Sequence, residues 1–434
     1  MNSFKIASLI FFLSLAWQMA AQVPTPAHEQ SRPIYLVGGT VHVGNGQVIE
    51  NGIVAFEKGK ITIVASPETL GKVNLSRYQI IDTKGKHIYP GFIAPNTNLG
   101  LVEIGAVRPT RDNQETGFLN PNVRSIIAYN TDSEIIPTIR SRGVLLAQIT
   151  PEGGRVSGMS SIVHLDAWNW EDAIYTADDG IHLNWPYTYS YSWRQREYTK
   201  NERYKEQVQQ IADFMAEAKA YSQNKETRET NLKMEAMRKL FSKERKLYIH
   251  VNDAKSITTA VVLAKKHDVE LVIVGGRDAW MLTDLLKENK VAVVLAPTHR
   301  LPSRVDADID QPFKTPALLE EAGVLFCLQN EGNWQQRNLP FQAGHAVGFG
   351  LSYENAVKAI TLNTAKILGI DDRTGSLEVG KDATLIISSG DALDMRTSNI
   401  EQAYIQGRNI DLNNKQKGLY EKFKKKYELE KLKK

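Results

Sequence analysis

The stretch from Lys246 to Asn330 leaves the fewest choices of fold. Four largely apolar runs, KLYIHV, VELVIVGG, VAVVLAP and VLFCLQN, are separated by helical patterning at Ala254 to about His267, Asp278 to Asn289 and near Pro316 to Ala322. Strands apolar on both faces must be covered on both faces, and intervening helices make such strands parallel. A (β/α)8 barrel and an open doubly wound sheet both satisfy this α/β pattern. The length of the middle segment, and the return to β-rich sequence after it, favour the barrel.

β-Rich sequence flanks that middle. PIYLVGGTVHVGNGQVIENGIVAFEKGKITIVAS, from Pro33, alternates β-branched and apolar residues between Gly and Asn turns, and GSLEVGKDATLIISSGDALDMRTSNIEQAYIQGRNIDL, Gly375 to Leu412, has the same chemistry. We expect residues 22–90 and 371–412 to build a small β-sandwich from both ends of the chain, enclosing a barrel at 91–370. Within the charged segment Tyr198 to Lys246, Val208, Ile211, Phe214, Met215 and Ala218 recur at helical spacing, predicting a helical insertion at about 198–246 with one buried stripe. The aromatic run NWPYTYSYSW, Asn184 to Trp193, either lines a ligand cleft or packs this insertion against the barrel.

Charge narrows the partners. The chain has 434 residues and a formal charge of +4, but the expected Lys-rich helical tail, 413–434, holds nine lysines and three glutamates, which leaves the rest slightly acidic. A general nucleic-acid surface is therefore not expected, although the tail is suited to an acidic partner. Lys5, the apolar run Ile6 to Ala16 and the small residues of Met19-Ala20-Ala21 read as a signal peptide at 1–21. The chain is thus expected to be exported, periplasmic or secreted, with no stable membrane anchor after cleavage. Cys327, the only cysteine, lies in an apolar strand, so no intramolecular disulfide is expected.

Three motifs, in order, carry a family resemblance: GGTVHVGNGQVIENGIVAFEKGKITIVAS, IYPGFIAPNTN and LSYENAVKAITLNTAKILGIDDRTGSLEVGKDATLIIS. Together they resemble the amidohydrolase superfamily, in its imidazolonepropionase-like and dihydroorotase-like branches. The resemblance covers most of residues 33–410 and implies a hydrolase acting on carbon–nitrogen bonds other than peptide bonds, with zinc or another divalent metal as cofactor. In an active member the first barrel strand ends Pro-Gly-hydrophobic-Ile-Asp-x-His-x-His. Here Pro90, Gly91, Phe92 and Ile93 remain, Ala94 replaces the Asp, and Asn96 and Asn98 replace the two metal histidines. An amide oxygen is a poor zinc ligand.

The other positions are carried over one by one. His250 in LYIHVNDAKSI falls where the family supplies a third metal histidine, with Asn252 or Asp253 placed to cap the next helix. Gly275 stands where a further histidine is usual, and His164 and Asp166 are the polar residues of an intermediate strand that lacks the family's bridging lysine or glutamate. The catalytic aspartate position falls on Glu331, or on Asn330 with a one-residue shift. Arg155, in EGGRVSG, is a candidate to meet a substrate carboxylate. Two readings follow: a hydrolase with an impaired or altered metal centre, and an exported pseudoenzyme that binds a small ligand or a partner protein. A homodimer is compatible with either.

Overall fold

In the computed structural model, residues 25–427 are described except 72, 193, 195, 225–228 and 303–306. The expected signal peptide, 1–21, lies outside the described residues. Eight strands form a nearly closed barrel sheet: Phe92–Thr97, Val144–Ile149, Val156–His164, Ile174–Asn184, Lys246–Val251, Leu271–Gly275, Ala292–Leu295 and Phe326–Leu328, each paired with its sequence neighbour. The first and eighth strands are linked by side chains instead of a ladder. Asn96 Nδ2 donates to Gln329 Oε1 at 2.6 Å, and Thr97 Oγ1 donates to the Gly332 carbonyl at 2.7 Å.

The second half follows the expected strand–helix alternation because its local signals agree. Asp253 caps the helix Ala254–His267 by accepting from Ser256 N–H at 3.0 Å, and Lys265, Lys266 and His267 sit in its last turn, where the helix dipole favours positive charge. Its buried residues Ile257, Ala260, Val261 and Ala264 cover the sheet.

Two expectations change here. The barrel is not uniformly (β/α)8, because the third strand, Val156–His164, is antiparallel to both neighbours and joins them without a long helix. The charged segment is also more than an insertion. Its helices Tyr204–Gln223 and Leu232–Phe241 connect the fourth and fifth strands, which are parallel neighbours and so need a crossover. Ile211, Phe214, Met215 and Ala218 are buried as the spacing predicts, while Val208 is half-buried.

The β-rich ends form one connected eight-stranded sheet that curls over on itself, bringing the rings of Phe56 and Tyr404, from strands well separated in its order, to 5.0 Å. His87–Pro90 from the first segment pairs antiparallel with Leu385–Ser388 from the last, aligning Ile88 with Ile387 and Pro90 with Leu385. Leu36, Val54, Phe56, Ile88, Leu385 and Ile387 form its apolar cluster. Gly91 alone separates this sheet from the first barrel strand. The tail helix, Lys415–Tyr427, buries none of its residues.

Asp166 ties these parts together. Its carboxylate accepts from Arg140 Nη1 at 2.5 Å, Arg408 Nη1 at 2.9 Å and Ala27 N–H at 3.0 Å, joining a barrel helix, the end sheet and the N-terminal linker. Removing it leaves two guanidinium groups without their buried counter-charge, and such losses cost about 3–5 kcal/mol. Asp166→Ala should lower unfolding stability by that amount in urea titrations, and a loss below about 1 kcal/mol would show that the cluster is structurally idle.

Candidate functional site at the barrel mouth

A cleft of about 450 Å³ opens at the C-terminal ends of the parallel barrel strands, with Asn96, Glu152, His250, Arg277, Gln329 and Glu331 among its walls. Barrel enzymes carry their chemistry at this face, since each strand delivers its last residues there. The structure brings His250, Asn96 and Glu331 into this one cleft. Asn330 is instead buried and turned inward, donating to the Gln335 carbonyl and accepting from Gln342. The one-residue ambiguity is thus resolved in favour of Glu331 as the carboxylate that reaches the cleft.

Asn96 and Asn98 do not act as a pair. The ladder between the first two strands slips between Ala94 and Thr97, where Pro95 and Asn96 stand opposite Gln148 alone, and Asn96 takes φ +50°. Asparagine tolerates this left-handed conformation better than most side chains. The bulge breaks the alternation that would have aimed positions 96 and 98 alike. Asn96 turns to Gln329, while Asn98 Nδ2 donates to Glu152 Oε1 at 2.9 Å.

Behind His250 runs a buried chain of hydrogen bonds. His250 Nε2 lies 2.9 Å from His182 Nδ1, His182 Nε2 lies 2.9 Å from Ser160 Oγ, and Ser160 Oγ donates to Asp179 Oδ1 at 2.8 Å. Gln148 Nε2 and the Tyr248 hydroxyl donate to Asp179 Oδ2 at 2.7 and 3.2 Å. Burial raises the Asp179 pKa, and these donors oppose the rise. Tyr248 reaches Asp179 across Gly180, where a Cβ would lie 2.2 Å from its ring. With Asp179 ionised, the order of donors is determined. Ser160 gives its proton to Asp179 and must accept from His182 Nε2–H, so His182 Nδ1 accepts from His250 Nε2–H. That proton on Nε2 leaves the lone pair of neutral His250 on Nδ1.

That donor set does not fit a catalytic zinc ion, which ordinarily has three protein ligands and a water. Among the described residues no three His, Cys, Asp or Glu side chains converge as a metal would require. Of the polar side chains that line the cleft, His250 offers one nitrogen, Nδ1, and Asn96 a neutral amide oxygen, while Asn98 is not in the lining. At Gly275, φ is +99° and a Cβ would lie 2.5 Å from Asn252 Oδ1, so no side chain enters there without rearrangement.

The remaining candidates fall outside the cleft. Because the third strand runs backwards, His164 and Asp166 emerge at the opposite end of the barrel. Arg155 Nη1 donates to the Asn184 carbonyl at 2.7 Å and its guanidinium lies over Phe118, and it is not among the residues lining the cleft. The aromatic run serves both expected roles. Trp185 and Tyr187 line the cleft, and Trp185 Nε1–H also donates to Tyr204 OH of the crossover helix at 3.1 Å. Sequence reading missed Glu152, Arg277 and the chain through Asp179, Ser160 and His182. Its one visible signal is two polar side chains, Asp179 and His182, in the short run DGIHL.

A profile of the amidohydrolase family matches residues 194–413. The chain belongs to the amidohydrolase family. Its relatives place it in the imidazolonepropionase-like branch. The imidazolonepropionase of Fusobacterium nucleatum is 26% identical over 380 residues, 80% of this chain and 87% of that protein. An amidohydrolase structure from Thermotoga maritima superposes with TM-score 0.76 at 27% identity, covering 87% of this chain and 99% of that one. A putative prolidase from Bifidobacterium longum, at 16% identity and TM-score 0.54, covering 89% of this chain and 96% of that one, shares the fold. The family match begins beyond the first barrel strand, so the Asn96 and Asn98 positions lie outside it.

Burial holds the His250 pKa down at about 4, below the usual imidazole value of 6.5. The unfolded chain takes up that proton near 6.5 and the folded chain only near 4. Stability from neutral His250 is therefore complete above about pH 6.5 and is lost as pH falls toward 4. Urea midpoints measured across that window should fall with acidification, and His250→Gln should reduce the slope. An unchanged slope would contradict the buried neutral imidazole.

Proposed function

We propose that the barrel-mouth cleft is the substrate site of a lineage of hydrolases acting on carbon–nitrogen bonds other than peptide bonds, and that in this chain it binds such compounds without metal-assisted turnover. The observation that carries this reading is that, among the described residues, no three His, Cys, Asp or Glu side chains converge, while Asn96 and Asn98 turn apart to Gln329 and Glu152. Much of the rate in metal hydrolases comes from lowering the pKa of bound water from 15.7 to about 7, and neutral amides cannot hold the ion that does so. A fold outlives its chemistry because the barrel core is stabilised separately from the strand-end residues.

Beside the carboxylates Glu152 and Glu331, Arg277 supplies the cleft with one place for an anionic group. Arg277 lines the cleft with its Nε buried and unpartnered, and burial together with the Arg277 charge pushes the neighbouring Arg300 down to about 10. A carboxylate-bearing amide would relieve both costs through paired N–H donors. A second reading, retained hydrolysis, is supported by family membership and by His250 and Glu331 sharing one cleft.

Untagged protein, stripped with chelator and titrated with zinc, should take up no ion that His250→Gln removes. It should bind carboxylated cyclic or linear amides without releasing product, and Arg277→Gln should weaken that binding about tenfold, the scale of a lost charge-assisted hydrogen bond. Zinc uptake that depends on His250, accompanied by hydrolysis of a carbon–nitrogen bond, would replace the binding reading with the hydrolytic one.

Export is likewise proposed, on Lys5, Ile6 to Ala16 and Met19-Ala20-Ala21. Among the described residues no helix is long and apolar enough to cross a membrane. N-terminal sequencing of the protein from cell fractions should find a chain beginning near Gln22 outside the cytoplasm, and an uncleaved cytoplasmic chain would overturn export.

A further inference from the structure

The loop after the seventh barrel strand and the helix Leu339–Val347 bring two imidazoles together away from the cleft lining. His299 Nε2 and His345 Nδ1 face each other in direct contact, with the rings 4.5 Å apart and tilted by 77°. Each residue is held from behind. The His299 backbone N–H donates to Gln342 Oε1 at 3.0 Å, and the His345 ring stacks on Phe313 at 4.5 Å with Phe349 at 5.4 Å.

This pair differs from His182 and His250. There, Ser160 and Asp179 dictate which nitrogen carries each proton. Here no described residue bonds to the outer nitrogens, His299 Nδ1 and His345 Nε2, so both can carry protons facing solvent while the two inner nitrogens present lone pairs to each other. The contact is satisfied when either inner nitrogen donates to the other, and in the tautomers with both protons outward the two lone pairs are free to share a cation.

We infer that His299 and His345 form a two-histidine site for a divalent transition-metal ion on the barrel rim, distinct from the cleft. Imidazole suits copper, nickel and zinc. With bonds of about 2.0–2.1 Å, nitrogens sharing a tetrahedral ion stand roughly 3.3 Å apart. His299 is exposed and can swing outward to that spacing, while the phenyl rings keep His345 in place. No third His, Cys, Asp or Glu joins them among the described residues, so water completes the shell. Such a site should bind copper more tightly than nickel or zinc. An ion there would pin the loop to the helix and raise thermal stability by linkage.

The test is calorimetric titration of the untagged, chelator-stripped full chain with Cu²⁺ and Zn²⁺, in parallel with His299→Gln, His345→Gln, His250→Gln and the His299→Gln/His345→Gln double variant. One ion per chain is expected, copper tighter than zinc, with affinity reduced at least about tenfold by either rim substitution, since loss of even an outer-shell partner costs about 10–100-fold. Because His299 is exposed, its variant should remain folded, and the melting temperature without metal checks this. Binding unaffected by His250→Gln but lost in the double variant supports the rim site whatever the fate of the cleft. No saturable binding, binding that survives in the double variant, or binding lost only with His250→Gln overturns it.

Discussion

A carboxylate buried inside the barrel, Asp179, organises most of what surrounds the cleft. A charge removed from water must be met by donors or it destabilises the fold by several kcal/mol. Its donors come from three other strands: Gln148 from the second, Ser160 from the third and Tyr248 from the fifth. The same groups extend outward, since Gln148 Oε1 accepts the Asn96 N–H at 3.1 Å and His182 leads to His250. A single network therefore reaches from the barrel interior to the mouth and, through Asn96 and Gln329, to the seam between the first and eighth strands. Because a half-satisfied buried network costs more than an apolar core, its members constrain one another's register.

This network also bears on what the cleft can hold. A metal site needs lone pairs aimed at one point, with enough negative charge to balance the ion. In this protein His250 Nε2 faces His182 Nδ1 at 2.9 Å, and the amide of Asn96 is turned to Gln329 while that of Asn98 is turned to Glu152. The first-strand asparagines are compatible with that arrangement because an amide both donates and accepts. The cleft keeps its polar walls at the C-terminal ends of the parallel strands, where barrel enzymes carry their chemistry.

The strands and helices between Lys246 and Leu328 were legible because each local signal agrees with its neighbours: buried apolar runs, Asp253 as a cap, lysines in the last helical turn. The reversed strand Val156–His164 was not legible, since an apolar run reads the same in either direction and only pairing decides which end faces the mouth. That reversal carries His164 and Asp166 away from the cleft. The paired helices at 204–241 looked like an insertion because their exposed faces are highly charged, and only the adjacency of the fourth and fifth strands shows that they are a required crossover. The end sheet could not be told from a sandwich, because strand alternation reveals which face is buried but not which strand lies alongside.

By itself, the sequence determined the identity of the donors: asparagine at 96 and 98, glycine at 275 and a lone histidine at 250 carry their chemistry wherever they sit, so the weakening of a metal site was readable in one dimension. Only the tertiary structure decided where those donors point. A bulge at Asn96 separated the two amides, a reversed strand removed two candidates, and residues far apart in the chain, Asp179, Ser160 and His182, took possession of His250. The reason is physical: coordination and hydrogen bonding depend on the direction of lone pairs, and direction is set by packing between strands that the sequence lists but does not align.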